Sequence, residues 1–340
     1  MPAPCILFVP VSGSAGSGEV QRCRLLAQAL RRQWPQAQPH FLLAEGTPPA
    51  SFDASYLSAS PTRVPMEVVA AIERLRPAVV VFDGNARVAT LAAARTAGAR
   101  TVLVSSRPSA RDRGLRWRRM ARLDAHWLVG AELRDAPGWR ERLACWRFPQ
   151  VQVRRFATVF APPEPIAPLL EQLGLPMPTP PFAVVCAGGA GHAGAAALFG
   201  EIATRVAAAG LATFAIGVPA PPPAIAIAEL PNAQLMGLLA ASRVALLAGG
   251  SLLVQALALD TPTLALPLQE EQAARVRWLA DNGAVRAAVG RDPRELARSL
   301  RALADDDQAR AELQRGCRAL GLDNGLQVMV QDLAGFAGLS

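Results

Sequence analysis

The chain has 340 residues, 51% of them hydrophobic, which is enough to bury one large core or two medium ones. Its 35 basic residues include no lysine, which excludes a Walker-type phosphate lysine and lysine Schiff-base chemistry. The net charge of +8 is divided unequally: residues 1–162 hold 23 Arg against 11 acids (+12) and residues 163–340 hold 12 Arg against 16 acids (−4), so only the first half suits an anionic partner.

The first apolar run, CILFVPV from Cys5, predicts a strand. It leads into GSAGSGEVQRC, residues 13–23, a glycine-rich turn that opens a helix over 20–34. The strand-like runs HFLLAE, VVVFD, TVLVSS, HWLVG and VQVRRF then alternate with helical stretches at 65–75, 88–97, 113–123 and 138–146. Continuous apolar strands separated by helices predict a parallel sheet covered on both faces. The rhythm stops at residues 160–182, FAPPEPIAPLLEQLGLPMPTPPF, whose eight prolines forbid a regular strand or a long helix. From Phe182 it restarts, with FAVVCAGG, ATFAIGV, VALLAGG, TLALPL and AVRAAV as strands. Helices are expected at 192–209, 233–242, 251–259 and 270–282, and two or three more from Pro293 on. The expected class is α/β: a Rossmann-like domain over 1–160, a Pro-rich linker over 161–181 and a second Rossmann-like domain over 182–340, with the last helices as candidates to return to the first domain. Such a pair leaves an interdomain cleft at the carboxyl ends of the strands.

No apolar run reaches the roughly 18–20 residues of a membrane helix, and the first one lacks the basic lead of a secretory signal. A cytoplasmic chain is expected. The cysteines at 5, 23, 145, 186 and 317 form no metal-ligand spacing and are expected to be reduced and buried.

Glycine clusters follow three strands, at 13–18, 188–191 and 249–250. Each serves equally as a tight strand-to-helix turn; together they favour a ligand with phosphates, which helix N-termini attract. The segment LPNAQLMGLLAASRVALLAGGSLLVQALALDTPTLALPLQEEQ, residues 230–272, is the most specific. Helix, strand, Gly-Gly-Ser turn, helix, Pro-containing strand and polar loop in that order resemble the nucleotide-sugar half of GT-B fold enzymes. The likeness is to peptidoglycan N-acetylglucosaminyltransferases and, closer still, to the UDP-sugar hydrolases of pseudaminic acid synthesis. The opening GSGEVQRCRLLAQAL also resembles the hydrolases' Gly-x-Gly-His-x-x-Arg-Cys and Leu-Ala helix.

The resemblance implies a GT-B arrangement in which the second domain binds the donor. Gly249, Gly250 and Ser251 would hold its diphosphate, with Gly188, Gly189 and His192 on the neighbouring loop. Gln255 stands where the transferases carry a ribose-binding Glu, and Gln269 and Gln272 would face the sugar. The first domain would bind the acceptor through Gly16, Gly18, Arg22 and Asn85. Glu19 replaces the His of both families. Two readings stay open: a general base that activates an acceptor hydroxyl or a water, or a helix N-terminal acid left where catalysis has been lost. Asp83, at the end of VVVFD, is a second candidate base or an N-cap for the next helix. His40 and His126 are expected to be structural. No cluster suggests a metal and no cofactor is expected, the nucleotide-sugar being a substrate.

Residues 105–127 hold seven arginines, with Trp117, Met120 and Leu123 at three-residue spacing. A helix with one cationic face would dock to anionic lipid or to a lipid-linked, anionic acceptor through 107–123; a solvated helix with a core-facing stripe is the alternative. Nucleic acid is disfavoured because the arginines are not interleaved with aromatics and the chain has one tyrosine. The expected activity is transfer of a sugar from a UDP- or dTDP-linked donor to a hydroxyl. Hydrolysis with water as acceptor, epimerisation of a nucleotide-sugar, or nucleotide-sugar binding without catalysis are the alternatives.

Overall fold

The structure, a computed structural model, describes residues 3–11, 18–48, 51–134, 136–175, 181–189 and 194–339. The chain divides into two units, residues 1–159 with 324–340, and residues 160–323.

The first unit opens with β1 (Cys5–Pro10), α1 (Gly18–Gln33), β2 (Gln38–Ala44), β3 (Asp53–Leu57), α2 (Pro65–Leu75), β4 (Val79–Asp83) and α3 (Val88–Thr96). It continues with β5 (Arg100–Ser105), α4 (Pro108–Gly114), α5 (Trp117–Met120), β6 (Ala125–Val129), α6 (Trp139–Arg147) and β7 (Gln152–Phe156). The strands form one seven-stranded sheet in the order β3-β2-β1-β4-β5-β6-β7, parallel throughout. Helices on both faces bury the central strands completely, so VVVFD is apolar without alternation. Strand β3 carries no such run; DASYL lies at the sheet edge and stays partly exposed.

The helix expected over 113–123 is broken. Arg116 takes extended backbone (φ −66°, ψ 136°) between α4 and α5. Gly114 packs so closely on β6 that a Cβ there would stand 2.4 Å from the His126 ring. Trp117 is therefore exposed while Met120 and Leu123 are buried, and the three share no stripe. Several arginines of this run tie down carbonyls: Arg111 bonds Ser106 O and Val129 O, and Arg119 bonds Ala86 O and Arg113 O.

Residues 160–175 join the second unit. Ala161 N–H donates to Asn232 Oδ1 (2.8 Å) and Glu164 N–H to Ala233 O (3.0 Å). A short helix, α7 (Ile166–Gln172), forms despite Pro168, which sits in the first turn where a missing N–H loses no bond. There follow β8 (Phe182–Cys186), α8 (Ala195–Ala208), β9 (Ala212–Ile216), β10 (Ile225–Ile227), α9 (Asn232–Ala241), β11 (Val244–Ala248) and α10 (Ser251–Leu257). The unit ends with β12 (Thr263–Leu266), α11 (Glu270–Asp281), β13 (Arg286–Ala287), α12 (Pro293–Asp305) and α13 (Asp307–Leu320). Its six strands are parallel in the order β10-β9-β8-β11-β12-β13.

The second unit stops at residue 323, short of the expected 340, because the last helix, α14 (Leu326–Ala337), packs on α1 of the first. Gln33 Nε2 donates to Gln327 Oε1 (2.7 Å), and Arg154 pairs with Asp332 (2.8 Å). Gly325 permits the return, since a Cβ there would lie 2.4 Å from the Phe156 ring. All five cysteines are free. Among the described residues no helix is long and apolar enough to cross a membrane.

Candidate functional site

Each sheet reverses its strand order once, between β1 and β4 and between β8 and β11. Loops leaving two such neighbours run to opposite faces, which opens a crevice at their carboxyl ends. The sequence-predicted site residues fall at these two places.

In the first unit, Pro10 at the end of β1 lies beside Asp83 at the end of β4. Helix α1 then sets Glu19, Arg22 and Cys23 against that end. Arg22 grips Asp83 with both arms of its guanidinium, Nε to Oδ2 at 2.7 Å and Nη2 to Oδ1 at 2.5 Å. Asp83 is fully buried and Arg22 nearly so. This corrects two expectations. Asp83 does not stand open as a base, because both its oxygens are occupied and no surface remains; nor does it cap a helix, since α3 starts after Arg87. Arg22 is bound to Asp83 instead of being held out for an acceptor.

Burial pushes the Asp83 carboxyl up to about 6 against the opposing pull of Arg22, and the charge of Glu19 adds to the rise. At Arg22 burial works downward, but the Asp83 charge and hydrogen bonds prevail and hold the guanidinium above its ordinary value. Burial, then Asp83, lifts the Cys23 thiol well above the ordinary range, so it is no thiolate nucleophile at neutral pH.

Glu19 lies in the first turn of α1 and keeps 7% of its surface. Its Oε1 is 3.6 Å from Arg107 Nη2. Gly84 follows β4 at φ +97°, which favours glycine, and a Cβ there would just touch Glu19 Cγ at 3.4 Å. Asn85 accepts the Ala86 N–H through Oδ1 (3.0 Å). Gly18 opens α1, and a Cβ there would meet no described atom within 4 Å; Gly16 lies outside the described residues.

In the second unit the loops after β8 and β11 are neighbours. Gly188 takes φ +80° with no described atom within 4 Å of a would-be Cβ, and its N–H donates to Cys186 Sγ (3.4 Å). Gly189 follows it; His192 lies outside the described residues. Gly249 is glycine for packing: a Cβ there would meet Gln272 Cβ at 2.8 Å and Val276 Cγ2 at 3.0 Å. Gly250 faces open space and precedes the exposed Ser251. Gln255 is buried, with its Oε1 3.5 Å from Asn232 Nδ2. Gln269 is exposed at the start of α11, whereas Gln272 turns back to accept the Leu268 N–H (2.8 Å).

Two side chains at these places escaped the sequence reading. Arg107 was hidden in a run read as one surface, and Arg275 donates through Nη1 to Gly249 O (3.0 Å). Its only signal is a position one helical turn after Gln272. Among the described residues no group of three or more His, Cys, Asp or Glu could hold a metal ion.

No family model matches the chain, and no curated protein matches its sequence. Solved structures do. UGT2 of Phytolacca americana, complexed with UDP-2-fluoro-glucose and pterostilbene, superposes with a TM-score of 0.68 at 13% identity over 99% of this chain and 100% of that one. The spinosyn forosaminyltransferase SpnP gives 0.66 at 16% identity over 98% and 99%. MnaA of S. aureus with UDP gives 0.60 at 13% over 99% and 98%. At such identities the likeness is one of fold: the protein has the GT-B fold.

Proposed function

We propose that the protein transfers a sugar from a nucleotide-diphosphate donor, UDP- or dTDP-linked, to an acceptor hydroxyl. The observation that carries this reading is the switch point of the second sheet. Two glycine turns, at Gly188 and Gly250, where a Cβ would meet no described atom within 4 Å, leave adjacent central strands beside Ser251. Neighbours of the same fold include proteins solved with UDP and with a UDP-sugar analogue.

In this reading the N–H groups of Gly250 and Ser251, the Ser251 hydroxyl and the Gly188–Gly189 turn hold the diphosphate. Gln255 bonds the ribose through a neutral amide, weaker than the charge-assisted bond of a carboxylate. Gln269 and the free NH2 of Gln272 address the sugar. The acceptor oxygen attacks the anomeric carbon as the bond to the diphosphate oxygen breaks, inverting that centre. Glu19 takes the acceptor proton, and Asp83 acts only by fixing Arg22 beneath it. Main-chain N–H groups and the nearby Arg275 meet the charge that builds on the leaving diphosphate.

Thermal unfolding with UDP, dTDP and GDP tests the binding half. A nucleotide that binds only the folded chain stabilises it by about 2.7 kcal/mol at 100 times its dissociation constant. No shift with any of them overturns the reading. Release of free sugar from a UDP-sugar without acceptor would instead assign hydrolysis, with Glu19 activating water.

A further inference from the structure

Helix α6 has two unlike faces. Glu141, Ala144 and the following Phe148 are buried, while Trp139, Leu143 and Trp146 are 64%, 38% and 76% exposed. Spacings of four and three residues put those three on one side of the helix. Arg140 and Arg147 flank this stripe on one side and Arg142 on the other. Beside it lies a depression of about 610 Å³, lined by Trp139 and Leu143 and by Arg113, Arg116 and Trp117. Trp117 is 57% exposed, so three of the chain's six tryptophans stand on one face of the first unit.

That face is also strongly cationic. Arg140 stacks 5.3 Å over the Trp139 ring and lies 3.6 Å from Asp112. Arg113 and Arg116 have no carboxylate partner among the described residues, and Arg113 Nε is buried without a hydrogen-bond acceptor. Burial, followed by the charges of Arg116, Arg113 and Arg87, holds Arg119 below its ordinary value, a sign of positive charge that no acid relieves.

We propose that this face is a docking surface for a bilayer of anionic phospholipid. Helix α6 lies in the plane of the interface, with Trp139, Leu143 and Trp146 entering the boundary between headgroups and acyl chains. Arg113 and Arg116 receive a lipid phosphate in the adjoining depression. The pattern of an apolar stripe edged by arginine is what such a surface selects, since indole rings settle at the headgroup level. The element that carries it is α6, not the broken 113–123 segment, and the inference does not rest on the nucleotide-sugar reading.

Flotation of the full chain with vesicles of phosphatidylcholine, alone or mixed in equal parts with phosphatidylglycerol, tests it. Binding is expected only to the mixture and should weaken with salt. Trp139→Ser with Trp146→Ser keeps every charge and should lower partitioning by about tenfold or more; Trp146→Ser alone, at the most exposed site, should give a smaller fall with an unchanged melting temperature. Arg113→Glu with Arg116→Glu should lower it about tenfold or more. Arg294→Glu with Arg298→Glu, the same change of net charge on exposed residues of the second unit, should bind like the parent. The proposal is overturned if the tryptophan variants bind as the parent does, if the two arginine pairs fall equally, or if the parent ignores anionic vesicles at low salt and takes an acidic protein instead.

Discussion

Glu19, Arg22, Asp83, Arg111, His126 and Glu141 are buried in the first unit; in the second, Arg310 is the one buried charged or imidazole side chain among the described residues. Yet both units are parallel sheets that reverse strand order once, and both place short loops at the reversal. The crevice of the first is filled with paired charge. Among the described residues, that of the second is lined by glycines, a hydroxyl and amides, with Arg275 on the Gly249 carbonyl. Strand order therefore decides where a crevice forms, and side chains decide whether it handles protons or cradles an anion. The buried titrating groups Asp83 and His126 both lie in the first unit.

The largest effect is expected in acid. Burial holds His126 down to about 3, from 6.5. The folded value lies below the unfolded one, so the unfolded chain binds the extra proton. Stability from this residue is complete above 6.5 and is lost as pH falls toward about 3, with a limit of about 5 kcal/mol. Asp83 runs the other way: its raised value makes its contribution fullest below 3.8 and lost as pH rises through about 6. Chemical denaturation of His126→Gln against the parent at each pH isolates the histidine. The variant should lose less stability in acid, and an unchanged slope would refute the assignment.

Next comes Asp83→Ala, which strands Arg22 in the interior and should cost about 3–5 kcal/mol. Gln255→Ala in the second unit removes a neutral amide whose Oε1 lies 3.5 Å from Asn232 Nδ2, with an expected cost of about 1 kcal/mol. Equal losses in urea titrations would erase the contrast between the two crevices. Glu19→Gln should lower sugar transfer about 10²- to 10⁴-fold while changing stability by less than about 1 kcal/mol. Parent-like turnover would remove Glu19 as the base. The smallest effects separate two adjacent glycines. Gly249→Ala must push α11 away and should cost about 1–3 kcal/mol. Gly250→Ala meets nothing within 4 Å and should leave the melting temperature alone, so that titration with UDP becomes its readout.

The two sheets were legible in the sequence where strands are central. VVVFD and FAVVC are apolar on both faces because helices cover both, and the observed strands coincide with those letters. The edges were not legible. Strand β3 is half polar, and β10 is three residues long after a proline cluster. The glycine turns mark the crevices by position, but their reasons differ: Gly249 answers to α11, Gly84 to its own φ. The Arg22–Asp83 pair joins residues 61 apart in sequence, and no spacing rule announces it. The close packing of Gly114 on His126, two residues before the break at Arg116, is likewise a contact between distant parts of the chain.

The route of the backbone through the two units sets an order of assembly. Residues 160–323 are continuous, whereas residues 1–159 lack α14 until residues 324–340 have been made. Helix α1, which carries Glu19 and Arg22, keeps its partner face uncovered for the whole of that interval. The usual vectorial sequence, in which the amino-terminal portion matures first on the ribosome, is interrupted here: the unit bearing the proposed base is incomplete until residues 324–340 have followed residues 160–323.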